Sequence, residues 1–138
     1  MAVLLREADF VVPLAPATDE TENLIDADAF ALMKPTAWLV NASRGNLVDE
    51  AAPIQALDAR RIAGAALDVG RAPDQKPSLD LARRPDVIAS PHVAGLTPEA
   101  LDHQALETVR QVAIILRGEA PPGAVNAEKA WRLARFRS

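Results

Sequence analysis

Short uninterrupted apolar runs alternate with stretches of helical periodicity along this chain, and Pro, Gly and acidic clusters separate them. Asp9-Phe-Val-Val-Pro-Leu14 reads as a short buried strand, with Pro13 near its end where a missing ladder donor does least harm. A polar loop, Ala15 to Thr21, follows. Asp26 can cap a helix carrying Ala29, Phe30, Leu32 and Met33, and that helix stops at Lys34-Pro35 because the residue before proline is pushed out of the α region. Ala37 to Asn41 is a second apolar run, too short for a helix and flanked by breakers, so it is predicted as a buried strand. Asn41-Ala-Ser-Arg44-Gly45 is then a tight strand-to-helix turn.

Asp49-Glu50 places acid at the start of the next helix, where it suits the dipole, and Ile54, Leu57 and several Ala supply the apolar face as far as Arg60-Arg61. Ile62 to Asp68 is a third strand of small residues. Val69 to Pro85 reads as a long loop, of the kind that is usually functional or disordered, and Asp86 to Ser90 as a fourth strand. Thr97 as N-cap and Pro98 at the first helical position open a long helix with Leu101, Ala105, Val109, Val112, Ala113 and Leu116 on one face. Gly118 ends it. The polar tail holds a strand-like Gly123-Ala-Val-Asn126 and closes on the Arg-rich Trp131 to Arg137.

Strands separated by helices at short intervals imply right-handed crossovers and an α/β architecture, a parallel sheet with helices on both faces. Ligands of such sheets bind at the carboxyl ends of the strands. Leu14 to Thr18, Asn41 to Gly45, Asp68 to Asp74 and Ser90 to Gly95 all leave strands at that edge and can converge there.

Composition narrows the function classes. With 138 residues, 49% hydrophobic and 25% charged, the chain has the makings of one domain or part of one. Fifteen Lys and Arg against 19 Asp and Glu give −4, the wrong sign for a nucleic-acid partner. No Cys and only two His argue against a metal centre. No apolar run is long enough to span a membrane, and the opening Met1 to Asp9 is too short and too quickly acidic for a secretory signal, so a cytoplasmic location without a membrane partner is expected. No G-x-S-x-G, H-E-x-x-H or P-loop appears, and His103 shares a helical face with Glu99, Glu107 and Arg110, which points to solvent.

Six ordered stretches carry a resemblance: Ala15-Pro-Ala-Thr-Asp-Glu-Thr21, Leu32-Met-Lys-Pro35, Asn41-Ala-Ser-Arg-Gly45, Leu47-Val-Asp-Glu50, Leu67-Asp-Val69 and Ser90-Pro-His-Val-Ala-Gly95. In order and spacing they resemble the D-isomer-specific 2-hydroxyacid dehydrogenases. The resemblance implies part of a Rossmann-like doubly wound parallel sheet, NAD or NADP as cofactor, and a small 2-hydroxy or 2-oxo acid as substrate. It implies His92 as the acid/base that handles the hydroxyl proton, a task that suits an imidazole titrating near neutrality. Arg44 matches the arginine whose planar guanidinium holds the substrate carboxylate. Asp68 matches the aspartate that bonds the nicotinamide carboxamide, while Pro16, Ser43 and Gly95 match positions that approach the cofactor through backbone and packing.

The chain also departs from that pattern. Where the family places a Glu to orient the histidine, residue 73 is Pro, so Asp74, or else Gln75, is expected to take over; Asp74 is preferred because a carboxylate also stabilises a protonated imidazole. None of the six Gly forms even a G-x-G, so the turn that grips a pyrophosphate is missing and the fold is expected to lack its first βαβ half. A partial NAD(P)-binding domain over 1–118 and a tail over 119–138 are expected. An open sheet cut through its middle exposes a strand edge, which a homodimer would cover. The alternatives are a non-catalytic, corepressor-like interaction protein on the same fold, or a truncated remnant with little or no activity.

Overall fold

The computed structural model describes residues 1–136, so Arg137 of the Arg-rich ending lies outside the described residues. The chain divides into two compact units, Met1–Ala94 and Gly95–Ser138. In the first, the elements run α1 (Ala2–Glu7), β1 (Phe10–Val11), α2 (Ala27–Leu32), β2 (Trp38–Asn41), α3 (Ala51–Asp58), β3 (Gly64–Leu67), α4 (Leu79–Ala82) and β4 (Val87–Ala89). The strands form one parallel sheet in the order β1-β2-β3-β4, with Phe10 beside Trp38, Trp38 beside Gly64 and Ala66 beside Ile88.

The register sorts side chains onto two faces, because neighbours in a parallel pair point the same way and successive residues point oppositely. Val11, Leu39 and Ala65 share the buried face with Leu67, and there they meet Leu5 of α1, Ala29 and Phe30 of α2, and Ala52, Ala56 and Leu57 of α3. Helix α1 packs on α2, and α2 on α3. The opposite face carries Phe10, Trp38, Val40, Ala66 and Ile88, of which Phe10 and Ile88 are each 66% exposed. The expected helical cover on both faces is therefore corrected for this unit. A strand order that never reverses, with crossovers of one hand, brings each connection back over the same side.

Gly64 has a specific packing reason. A Cβ there would lie 2.6 Å from the Trp38 ring, so glycine is what lets the indole lie over β3 on the face away from α1 to α3. Helix α2 starts as expected: the Asp26 carboxylate accepts the Ala29 amide at 2.8 Å.

Other expectations need correction. The strand over Asp9 to Leu14 shrinks to Phe10–Val11, leaving Val12 and Leu14 exposed beyond its pairing with β2. The loop from Val69 to Pro85 contains α4, a single turn that begins after Ser78 without a side-chain cap bond and buries Leu81. Helix α1 was not foreseen, and Gly123 to Asn126 is turn rather than strand, with Val125 95% exposed. In the second unit α5 (Pro98–Leu116) has Thr97 accepting the Ala100 amide at 3.2 Å and Pro98 at its first position, and it ends before Gly118 at φ 76°. No residue of α5 is buried, His103 included, and α5 packs against the 3₁₀ segment Trp131–Phe136. No described helix is long and apolar enough to cross a membrane.

Candidate active site

The carboxyl ends of β2, β3 and β4 lie side by side, and each releases a turn that carries chemistry. After β2, Asn41 is buried and shapes its own turn: its Oδ1 accepts the Ser43 amide at 3.1 Å and its Nδ2 donates to the Arg44 carbonyl at 2.9 Å. Arg44 is exposed, and its Nη1 donates to the Ser43 carbonyl at 2.7 Å, which leaves most of a fork of five donors directed outward. The next residue cannot carry a side chain, since a Cβ on Gly45 would sit 2.1 Å from the Gly70 carbonyl oxygen. The Arg44 turn and the loop after β3 thus touch backbone to backbone, and a cavity of about 360 Å³ opens between Arg44, Asn46, Gly70, Arg71 and Gln75.

After β3 comes Asp68, 5% exposed. Its Oδ1 accepts the Ser90 hydroxyl at 2.6 Å and the Val93 amide at 2.9 Å, and its Oδ2 accepts the Ala94 amide at 3.0 Å. Burial by itself pushes this carboxyl up, but Ser90, the Ala94 and Val93 amides and the nearby His92 outweigh it and hold the group below the ordinary aspartate range. The span gathered by these bonds is the one that presents His92. His92 is half-buried and has φ 59°, a left-handed conformation that residues with a Cβ seldom adopt and that is concentrated at functional sites.

Asp74, expected beside His92, is exposed and engaged with Lys76: its Oδ2 meets the Lys76 Nζ at 2.9 Å and its Oδ1 accepts the Lys76 amide at 3.2 Å. That side-chain contact is the main reason its carboxyl lies below the usual range. Gln75 lines the cavity at φ 59°, its carbonyl accepting the Gly70 amide at 2.9 Å. Pro16 is exposed, and its carbonyl takes the Thr21 hydroxyl at 2.6 Å. Gly95 opens the second unit, also exposed.

One residue escaped the sequence reading. Arg71 donates to the Val48 carbonyl at 3.0 Å, the Asn46 carbonyl at 2.9 Å, Glu22 at 2.6 Å and the Asn23 side-chain oxygen. Asn46 also reaches Glu22 at 2.9 Å, and Asn46 and Arg71 together hold the Glu22 carboxyl below its ordinary range. A loop arginine in an arginine-rich chain gave no signal of this; only its place three residues after Asp68, at the end of β3, could have suggested it.

The description "D-isomer specific 2-hydroxyacid dehydrogenase, NAD binding domain" matches residues 1–94, which are the sheet and all its turns. The chain belongs to this family. Among its relatives are a glyoxylate reductase of Thermofilum pendens, 40% identical over 125 residues that make up 91% of this chain and 37% of that one, and a D-3-phosphoglycerate dehydrogenase of Synechocystis, 40% identical over 124 residues, 90% of this chain and 22% of that one. The D-isomer specific 2-hydroxyacid dehydrogenase of Lactobacillus delbrueckii ssp. bulgaricus, in its NAD complexed form, superposes with a TM-score of 0.77 at 31% identity over 91% of this chain and 42% of its own. An NADPH-dependent glyoxylate/hydroxypyruvate reductase of Sinorhizobium meliloti, in complex with NADP and sulfate, gives 0.77 at 26% identity over 92% and 41%. The chain thus spans well under half the length of these relatives.

The donor set here suits one end of a dinucleotide. Ser43, Asp68 and Ser90 place polar groups at the strand ends, as a nicotinamide requires. The starts of α2 and α3 carry Asp26 and Asp28, and Asp49 and Glu50, which repel rather than hold a pyrophosphate.

Proposed function

We propose that this chain forms the nicotinamide-side part of an NAD(P)-dependent 2-hydroxyacid dehydrogenase site, acting on a small 2-oxo or 2-hydroxy acid. The observation that carries the reading is the Asp68 carboxylate gathering Ser90, Val93 and Ala94, so that His92 stands out at the carboxyl edge of β4 while Arg44 leaves β2 at the same edge. Bound NADH or NADPH supplies a hydride to C2 of the oxo acid. His92 gives the proton that the carbonyl oxygen then needs, and in the reverse direction takes it from the hydroxyl. Arg44 holds the substrate carboxylate in a paired, charge-assisted contact that fixes which face of C2 is presented. Ser43, Asp68 and Ser90 hold the nicotinamide end, with Pro16 and Gly95 approaching through backbone. Asp74 is the residue we assign to support the imidazole, by release from Lys76 when substrate enters.

The test is reduction of glyoxylate, hydroxypyruvate or pyruvate, followed as loss of nicotinamide absorbance with NADH and NADPH side by side. His92→Ala should abolish turnover while binding of the reduced cofactor, read from Trp38 fluorescence in a Trp131→Phe background, survives. Turnover unchanged by His92→Ala would remove the catalytic assignment. A second reading, a cofactor-sensing interaction protein, is favoured by the pairing of Asp74 with Lys76, and it requires that NADH bind with no turnover of any 2-oxo acid. The unpaired edge of β1 is the reason to propose a homodimer, and a monomer in sedimentation velocity at assay concentration would exclude it.

A further inference from the structure

Among the described residues the buried polar side chains are Asn41 and Asp68. Both close a central strand at its carboxyl end, and neither side chain is used by the ladder. Every hydrogen bond they make goes to a turn: Asn41 to Ser43 and Arg44, Asp68 to Ser90, Val93 and Ala94. The Asp68 amide donates to the Asn41 carbonyl at 2.9 Å, so the two are joined directly. A buried amide and a buried carboxylate are costly where an apolar side chain would fill the same space, and that cost is offset here only by fixing the backbone of two segments outside the sheet. One of those segments is held with His92 left-handed, a shape that its own sterics disfavour.

We propose that Asn41 and Asp68 are a coupled pair of positioning residues, Asn41 setting the turn that presents Arg44 and Asp68 setting the turn that presents His92. This rests on the function proposed above and adds to it how the two groups are kept in register. Asp68 acts through His92 before any cofactor arrives, and Asn41, which opens the Asn41 to Gly45 stretch but was given no role there, becomes part of the site's support. Because one backbone bond joins them, a disturbance at either is felt in both turns.

The test uses the whole isotope-labelled chain in solution, read by backbone nuclear resonance with and without NADH plus oxamate. Asp68→Asn keeps the size but turns one oxygen into a donor facing backbone amides. The Cα and Cβ shifts of His92 should leave the left-handed pattern, and the ligand-induced displacement of its signals should be lost. Asn41→Asp sets an acceptor against the Arg44 carbonyl; it should displace the Ser43 and Arg44 signals and, more weakly, those of His92. Where either variant lacks a cooperative melt, Ser90→Ala decides: it removes one of three donors and should move His92 in the same direction by a smaller amount. A His92 that stays left-handed in both Asp68→Asn and Ser90→Ala overturns the proposal, as does an Arg44 turn indifferent to Asn41→Asp. Wild-type signals of Arg44 and His92 that ignore NADH plus oxamate overturn the reading of the site itself, whatever the backbone of the variants does.

Discussion

Arg71 fastens two separate stretches of chain, Glu22 with Asn23 and Asn46 with Val48, to the loop in which it sits. Arg71→Met leaves the Val48 carbonyl without its donor, while the Asn46 carbonyl keeps the Asn23 amide, and should cost about 1–3 kcal/mol in urea unfolding. Acid has its own signature at this scale. Asp68, Asp74, Asp86 and Glu22 all titrate below their ordinary values in the folded chain, Asp86 through Arg84. A carboxyl depressed on folding contributes stability that is complete above its unfolded value, about 4, and is lost as pH falls through the folded one. The chain should therefore weaken steadily below about pH 4, and Asp68→Asn should flatten part of that slope in melts taken across the acid range. Arg44, His92 and Asp68 were legible as residues because short motifs carry them. The bond between Asp74 and Lys76, like the reach of Arg71, depends on where a loop folds back, and no local pattern encodes that.

At the scale of elements, local chemistry was enough where an element has a marked end. Asp26 before α2 and Thr97-Pro98 before α5 both cap as their residue types require, and Asp26→Ala should cost about 1 kcal/mol in a thermal melt. Strands β2 and β3 were legible as apolar runs between breakers. Helix α4 was not, since four residues between Ser78 and Arg83 give no period to read, and its helical form follows from burying Leu81. Strand β1 shrank because only two of its residues find a partner in β2. The contact of Gly45 with Gly70 joins two elements that the sequence keeps far apart. Gly45→Ala forces a carbon into a carbonyl oxygen and should cost upward of about 1–3 kcal/mol, with a fall in melting temperature as the measure.

Taken as a whole, the unit from Met1 to Ala94 carries helices on one side of its sheet and Phe10, Trp38, Val40 and Ile88 on the other. Alternation along each strand hinted at two apolar faces, but which face the helices take depends on the order of strands, and that is a property of topology rather than of any segment. Because Phe10 and Ile88 are exposed, Phe10→Thr with Ile88→Thr should change stability by no more than about 0.5 kcal/mol each, while binding of a hydrophobic dye falls. A larger loss of stability would mean that this face is packed in solution. A folded chain that keeps apolar side chains in the open, on this face as along α5, behaves as a surfactant. Foaming on shaking and loss to plastic should therefore track native molecules, and should diminish, rather than grow, once Phe10 and Ile88 are made polar.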